Sequence, residues 1–166
     1  MDKELGVKEK ILFNSSAGSK LSISQVVGEV VGFMKADPKR AYKISIGTDS
    51  EGLADYQADF VTAVVVHRVG NGGRYFWRRI ELGKFHTLRD RIIKEVILSL
   101  DFAKKVLSEL KKADVKFDFE IHADIGENGS TKVMLQEVVG MIRAFNFIPQ
   151  TKPASYAASS VADRHV

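Results

Sequence analysis

From Val26 to Met34 the apolar residues Val26, Val27, Val30, Val31, Phe33 and Met34 recur at helical spacing, so one side of that segment seeks a core. Ser22 or Ser24 can cap a helix there. It runs to about Ala36, and Asp37-Pro38 ends it because the residue before proline avoids helical angles. The period then shortens. Lys43 to Asp49 alternates as a strand, with Ile44 and Ile46 on one face and Ser45, Gly47 and Asp49 on the other. Ala58 to Arg68 is a strongly apolar strand. Gly70-Asn71-Gly72-Gly73 forms a turn suited to positive φ, and Tyr75 to Leu82 returns.

Helical spacing comes back from Thr87 to about Lys112, with Thr87 and Asp90 as a capping pair. Val115 to Ala123 alternates, placing Val115, Phe117, Phe119 and Ile121 on one face. Ser130 is expected to cap a helix reaching about Phe145, with Val133, Met134, Val138, Met141, Ile142 and Phe145 inward. Phe147 to Lys152 is a short strand, and Pro149 puts it at an edge. Ser155 to His165 closes the chain as a helix of small residues. The elements are thus expected in the order α-βββ-α-β-α-β-α, an α/β fold. With 166 residues and no linker or repeat, residues 1–166 read as one domain, with 1–20 as a flexible lead-in.

Composition narrows the class. Hydrophobic residues make up 45% of the chain, which excludes a disordered chain. No apolar run approaches the ~20 residues of a membrane span. Without cysteine there is neither disulfide nor thiolate metal site. Met1-Asp2-Lys3-Glu4 lacks the layout of a secretory signal, so the expected location is cytoplasmic. The net charge of +4 permits a nucleic-acid partner. Arg74, Arg78, Arg79, Lys84, Arg89, Arg91 and Lys94 form a basic stretch that either touches phosphates or is a solvated surface.

The acids carry the chemistry. Asp49 and Asp124 each follow a strand; either is a turn residue, or the two meet where parallel strands end. The long helix is the connection such a parallel pairing needs. Glu95 falls inside the apolar stripe of Leu88, Ile92, Ser99, Phe102 and Val106, where a carboxylate needs a cation, a core arginine or lysine, or solvent. Glu95 lies eight residues beyond Thr87, and Asp163 eight beyond Ser155. Helices starting at one sheet edge would hold both acids roughly 12 Å along their axes. Acids so gathered repel unless a cation intervenes, and oxygen-only ligands favour Mg²⁺ or Mn²⁺.

Gly47-Thr48-Asp49-Ser50, His122-Ala123-Asp124-Ile125-Gly126 and the segment from Pro153 to Arg164 resemble the motifs of the YkuK-type ribonuclease H-like family, a bacterial family. The resemblance runs from about Phe33 to the C-terminus. It implies a five-stranded mixed sheet in the order 3-2-1-4-5, flanked by helices, to which the N-terminal helix is an addition. The wider superfamily carries an acid on the first strand, the first long helix, the fourth strand and the last helix. Asp49, Glu95, Asp124 and Asp163 match those positions. The resemblance implies phosphodiester hydrolysis with two metal ions held by these acids. This chain departs from it at Ser50-Glu51, where ribonucleases H usually carry glycine, and it lacks an obvious insertion for gripping substrate.

Other features are less pointed. His67, His86, His122 and His165 lack metal-ligand spacing, although His122 and His165 stand near the acids as proton shuttles or polar surface. Gly126 to Lys132 joins a strand to a helix without the Walker spacing, which weakens a phosphotransferase reading. Tyr75, Phe76 and Trp77 beside Arg78 and Arg79 either stack on bases or pack inward. The leading expectation is a metal-dependent nuclease acting on nucleic acid. The alternative is a weakly active or inactive binding module on the same fold.

Overall fold

The computed structural model describes residues 10–166. The first nine residues of the expected flexible lead-in lie outside the described residues. The rest of that stretch is ordered. Phe13–Ser15 (β1) and Lys20–Leu21 (β2) form a hairpin, and Gly18 takes the left-handed φ its turn requires. Phe13 explains why the hairpin docks: it is buried and meets Phe102 edge-on at 5.3 Å. The lead-in looks polar, but one aromatic anchors it.

Helix α1 (Ile23–Lys35) starts at Ser22, whose hydroxyl accepts from the Gln25 amide while the Gln25 side chain accepts from the Ser22 amide. Strands β3 (Tyr42–Gly52), β4 (Gln57–Arg68) and β5 (Gly73–Gly83) follow as an antiparallel run. Helix α2 (Leu88–Leu110), capped by the Thr87 side chain on the Asp90 amide, then crosses back. It delivers β6 (Asp118–Ala123), which pairs parallel with β3 from Lys43↔Asp118 to Thr48↔Ala123. Helix α3 (Leu135–Ala144) leads to β7 (Ile148–Gln150), parallel to β6 at the sheet's edge.

The sheet therefore has seven strands, in the order β2-β1-β5-β4-β3-β6-β7. This corrects the expected five in the order 3-2-1-4-5. The added hairpin extends the sheet beyond β5, and the other strands lie as β5-β4-β3-β6-β7.

Two faces result from strand alternation. On one, Ile44, Ile46, Val64, Val66, Phe76 and Ile121 meet α1, α2 and α3 in the main core. On the other, Val61, Ala63 and Val65 meet Ala157 and Ala162 of the closing helix. That helix is a wide π-turn, Ala157–Ala162, continued by a 3-10 turn, Asp163–His165, rather than the regular helix expected. Gly47 explains its approach: a Cβ there would stand 2.5 Å from the Ala158 amide nitrogen.

The segment before α3 also departs from expectation. Ser130 caps nothing; a 3-10 turn, Lys132–Met134, precedes α3, whose start has no side-chain cap. Val133 is 90% exposed rather than inward. Phe145 is also largely exposed, with Lys104 Nζ 4.0 Å from its ring centroid. Among the described residues no helix is long and apolar enough to cross a membrane.

Candidate metal centre

The parallel register of β3 and β6 decides where two of the acids go. Thr48 pairs with Ala123, so the next residues on the two neighbouring strands are Asp49 and Asp124. Asp49 points to the closing-helix face, as its alternation with Gly47 and Ser45 requires. There the Asp163 side chain comes within hydrogen-bonding reach of it. Asp163 itself is exposed, and Asp124 is half-buried.

Glu95 approaches from the other face. On α2, Ser99 binds Thr48 at 2.8 Å, and Thr48 binds Thr62 at 2.9 Å, a buried hydroxyl chain that fixes the helix against β3 and β4. One turn nearer the helix start, Glu95 accepts a 2.6 Å hydrogen bond from the Ser50 hydroxyl. Arg91 Nε donates to the same hydroxyl at 3.3 Å. Ser50, where ribonucleases H usually carry glycine, thus links Glu95 to an arginine.

The electrostatics are those of acids held too close. Burial, the nearby Asp163 side chain and the Asp124 charge push the Asp49 carboxyl up to about 7. Burial pushes Glu95 up to about 8, against the lowering effect of the Ser50 hydrogen bond and with help from the Asp49 and Asp124 charges. Each carboxyl therefore senses at least two of the others, across the end of the sheet.

Asp124 is already engaged. Its Oδ1 accepts from the Ser159 hydroxyl at 2.6 Å and stands 3.2 Å from Lys152 Nζ. Among the described residues, no three histidine or acidic side chains converge on one ion position. The donor set nevertheless has the chemistry of a hard cation: oxygen atoms only, two of the carboxyls buried, and acid–acid repulsion that positive charge would relieve.

The histidines near the acids are structural. His122 is buried; its Nδ1 accepts from the Ala157 amide at 3.0 Å, which leaves Nε2 to donate to Glu120 at 3.1 Å. Burial holds the His122 pKa below its usual value, and an Nδ1 that accepts belongs to the neutral ring. Burial opposes ionisation of Glu120, but His122, Gln150 and the Lys43 charge outweigh it and keep that carboxyl below the usual range. His165 stacks on Trp77, with ring centroids 4.2 Å apart, and contacts the Tyr75 hydroxyl. In the sequence Glu120 looks like any outward residue of an alternating strand, which conceals its burial.

The basic stretch does not form one surface. Alternation sends Arg78 toward Phe102 on α2 and Arg79 to the opposite face, where it pairs with the buried Asp59. Arg89 grips Glu137 on α3 through two hydrogen bonds. Arg74 lies over the Phe33 ring. Phe76 enters the main core, while Tyr75 and Trp77 pack beside the closing helix.

Comparison with known proteins agrees with the fold. A family model described as Ribonuclease H-like matches residues 25–166. The chain is also 30% identical, over 94% of its length and 97% of the relative's, to the uncharacterized protein YkuK of Bacillus subtilis (strain 168). No solved structure matches it. With the parallel β3–β6 pair, the crossing helix and the closing helix set as described, the chain belongs to the YkuK-type ribonuclease H-like family.

Proposed function

We propose that this protein is a divalent-metal-dependent nuclease, hydrolysing phosphodiester bonds in nucleic acid at Asp49, Glu95, Asp124 and Asp163. The observation that carries this is the pair of buried carboxyls, Asp49 and Glu95, held beside further acids so that both resist ionisation. Burying mutually repelling acids is costly, and a protein with no use for a cation gains nothing from it. These four side chains would hold Mg²⁺ or Mn²⁺. When bound, such an ion stabilises charge developing on a phosphate and lowers the pKa of water. The chain's own groups supply the rest. Ser50 and Arg91 orient Glu95, and Ser159 orients Asp124. The match to a ribonuclease H-like family model supports nucleic acid as the substrate class, and a cytoplasmic location belongs to the same reading.

The test is a nuclease panel of single-stranded DNA, duplex DNA, RNA, hybrid and branched substrates with Mg²⁺ or Mn²⁺. Cleavage is expected with a divalent ion and is lost with chelator. Asp49→Asn serves as the blank, and both it and Asp124→Asn should lose activity by about a hundredfold or more, the scale of removing charge stabilisation at a reacting centre. No cleavage of any substrate overturns the nuclease reading.

A binding module is the second reading, and one observation favours it: Lys152 already places an ammonium on Asp124. Retention of nucleic acid without cleavage would select it.

A further inference from the structure

Beside the acids lies a cavity of about 480 Å³ that the proposed hydrolysis leaves unused. One wall is the end of β3 and the loop after it, with Gly52, Asp55 and Tyr56. The other is the approach to α2, with His86, and Arg91 lines it from the helix. The walls are tied together where the Phe85 amide donates to the Tyr56 carbonyl at 2.8 Å, and the loop closes on itself where the Leu53 amide donates to the Gln57 carbonyl at 2.8 Å.

The loop is built at a cost. Asp55 and Tyr56 both take left-handed backbone angles, with φ of 57° and 59°, and neither is a glycine. Lys84, the residue before Phe85, does the same, at 84°. Backbone held in sparsely populated regions gathers where its placement is used. Here it sets Tyr56 in the open, 59% exposed, with its ring 4.2 Å from that of His86 and tilted 42° to it. An open pair of rings beside a charged centre offers a base a face to stack on. The Asp55 carboxylate beside them can only accept, as the exocyclic amino groups of cytosine, adenine and guanine require.

The cavity also joins the acids through one side chain. Arg91 lines it, lies against Gly52, and reaches the Ser50 hydroxyl that binds Glu95. Among the described residues Arg91 is in no ion pair, so its charge remains available to a phosphate. Gly52 lies three residues beyond Asp49 on the same strand, about 10 Å away, so one nucleic-acid strand can meet both places.

We infer that this cavity receives an unpaired base next to the phosphate held at the acids, with Tyr56 and His86 stacking on it and Arg91 contacting the intervening backbone. The substrate class is therefore single-stranded nucleic acid or unpaired ends, because a base within a duplex is stacked and cannot enter. This inference rests on the acids being where the phosphate lies.

The test is binding of labelled single-stranded DNA and RNA octamers, and of a blunt duplex of the same sequence, to the full chain in chelator and in Mn²⁺. Single strands of one or both kinds should bind more tightly than the duplex. Tyr56→Ala should weaken that binding about tenfold, His86→Ala should weaken it less, and Tyr56→Phe should retain it, since stacking needs the ring and not the hydroxyl. Tyr56 is exposed, so circular dichroism and melting of the variants should match the wild type. Equal binding by Tyr56→Ala, or a duplex bound as tightly as the single strands, overturns the inference. Single-strand binding that depends on Tyr56 without any cleavage upholds the base pocket while defeating the nuclease reading.

Discussion

Lys152 Nζ stands 3.2 Å from Oδ1 of Asp124, the same oxygen that accepts from Ser159. An ammonium there competes with any cation that needs Asp124. Lys152 is half-exposed, so solvent screens the pair. A unit charge about 4 Å away in near-aqueous surroundings is worth about 1 kcal/mol. Lys152→Met should therefore tighten Mn²⁺ binding about fivefold, measured by calorimetry. Weaker binding in that variant would show that the lysine supports the site rather than competing for it.

The raised carboxyls make stability depend on pH with a definite sign. Unfolded, Asp49 and Glu95 ionise near pH 4; folded, they hold their protons to about 7 and about 8. Between those limits the native state binds more protons than the unfolded state, so stability falls as pH rises. Buried Glu95 contributes up to about 1.4 kcal/mol per pH unit, and Asp49, nearer solvent, contributes less because its charge is screened. Melting in chelator should therefore fall from pH 5 to pH 8. Glu95→Gln should flatten that slope, and Mn²⁺ should raise the melting temperature most at pH 8. A metal-free melting temperature that rises across this range contradicts the raised carboxyls.

Gly47 and His122 together seat the closing helix, and so Asp163. Gly47→Ala would press a methyl group against the Ala158 backbone, which cannot swing aside as a side chain can. A loss of about 1–3 kcal/mol is expected, with weaker Mn²⁺ binding because Asp163 moves with the helix. His122→Ala should cost about 3 kcal/mol, since it strips the Ala157 amide of its acceptor and the buried Glu120 of a donor. Chemical denaturation reads both. An unchanged midpoint for Gly47→Ala would mean that the helix does not bear on the strand.

Residue pattern made the strands and the acids legible because it records local alternation and strand ends. Asp49 and Asp124 could be placed from their positions after adjacent strands. The hairpin of β1 and β2 was hidden because its strands are short and its one anchor, Phe13, belongs to no period. The π-turn was hidden because small residues suit any helix. Lys152 at Asp124 was hidden because the contact joins separate loops at the sheet's end. Glu120 was hidden because two of its partners, Lys43 and Gln150, come from neighbouring strands.

Arg78 and Arg79 are neighbours in the chain and act on different faces. From sequence both suit a phosphate backbone, but Arg79 is paired with Asp59, which is 2% exposed. Arg79→Ala should therefore lower the melting temperature by leaving that carboxylate buried without its partner. Adding Asp59→Asn should recover part of the loss, because the uncompensated charge is gone. Arg78 packs its guanidinium over Phe102 at 5.8 Å and has no carboxylate partner of its own among the described residues. Arg78→Ala should leave the melting temperature nearly unchanged. If the α2 face carries nucleic acid, that variant should also reduce the salt dependence of binding by about one counterion. A double-mutant cycle on Arg79 and Asp59 showing no coupling would return Arg79 to the candidate phosphate contacts.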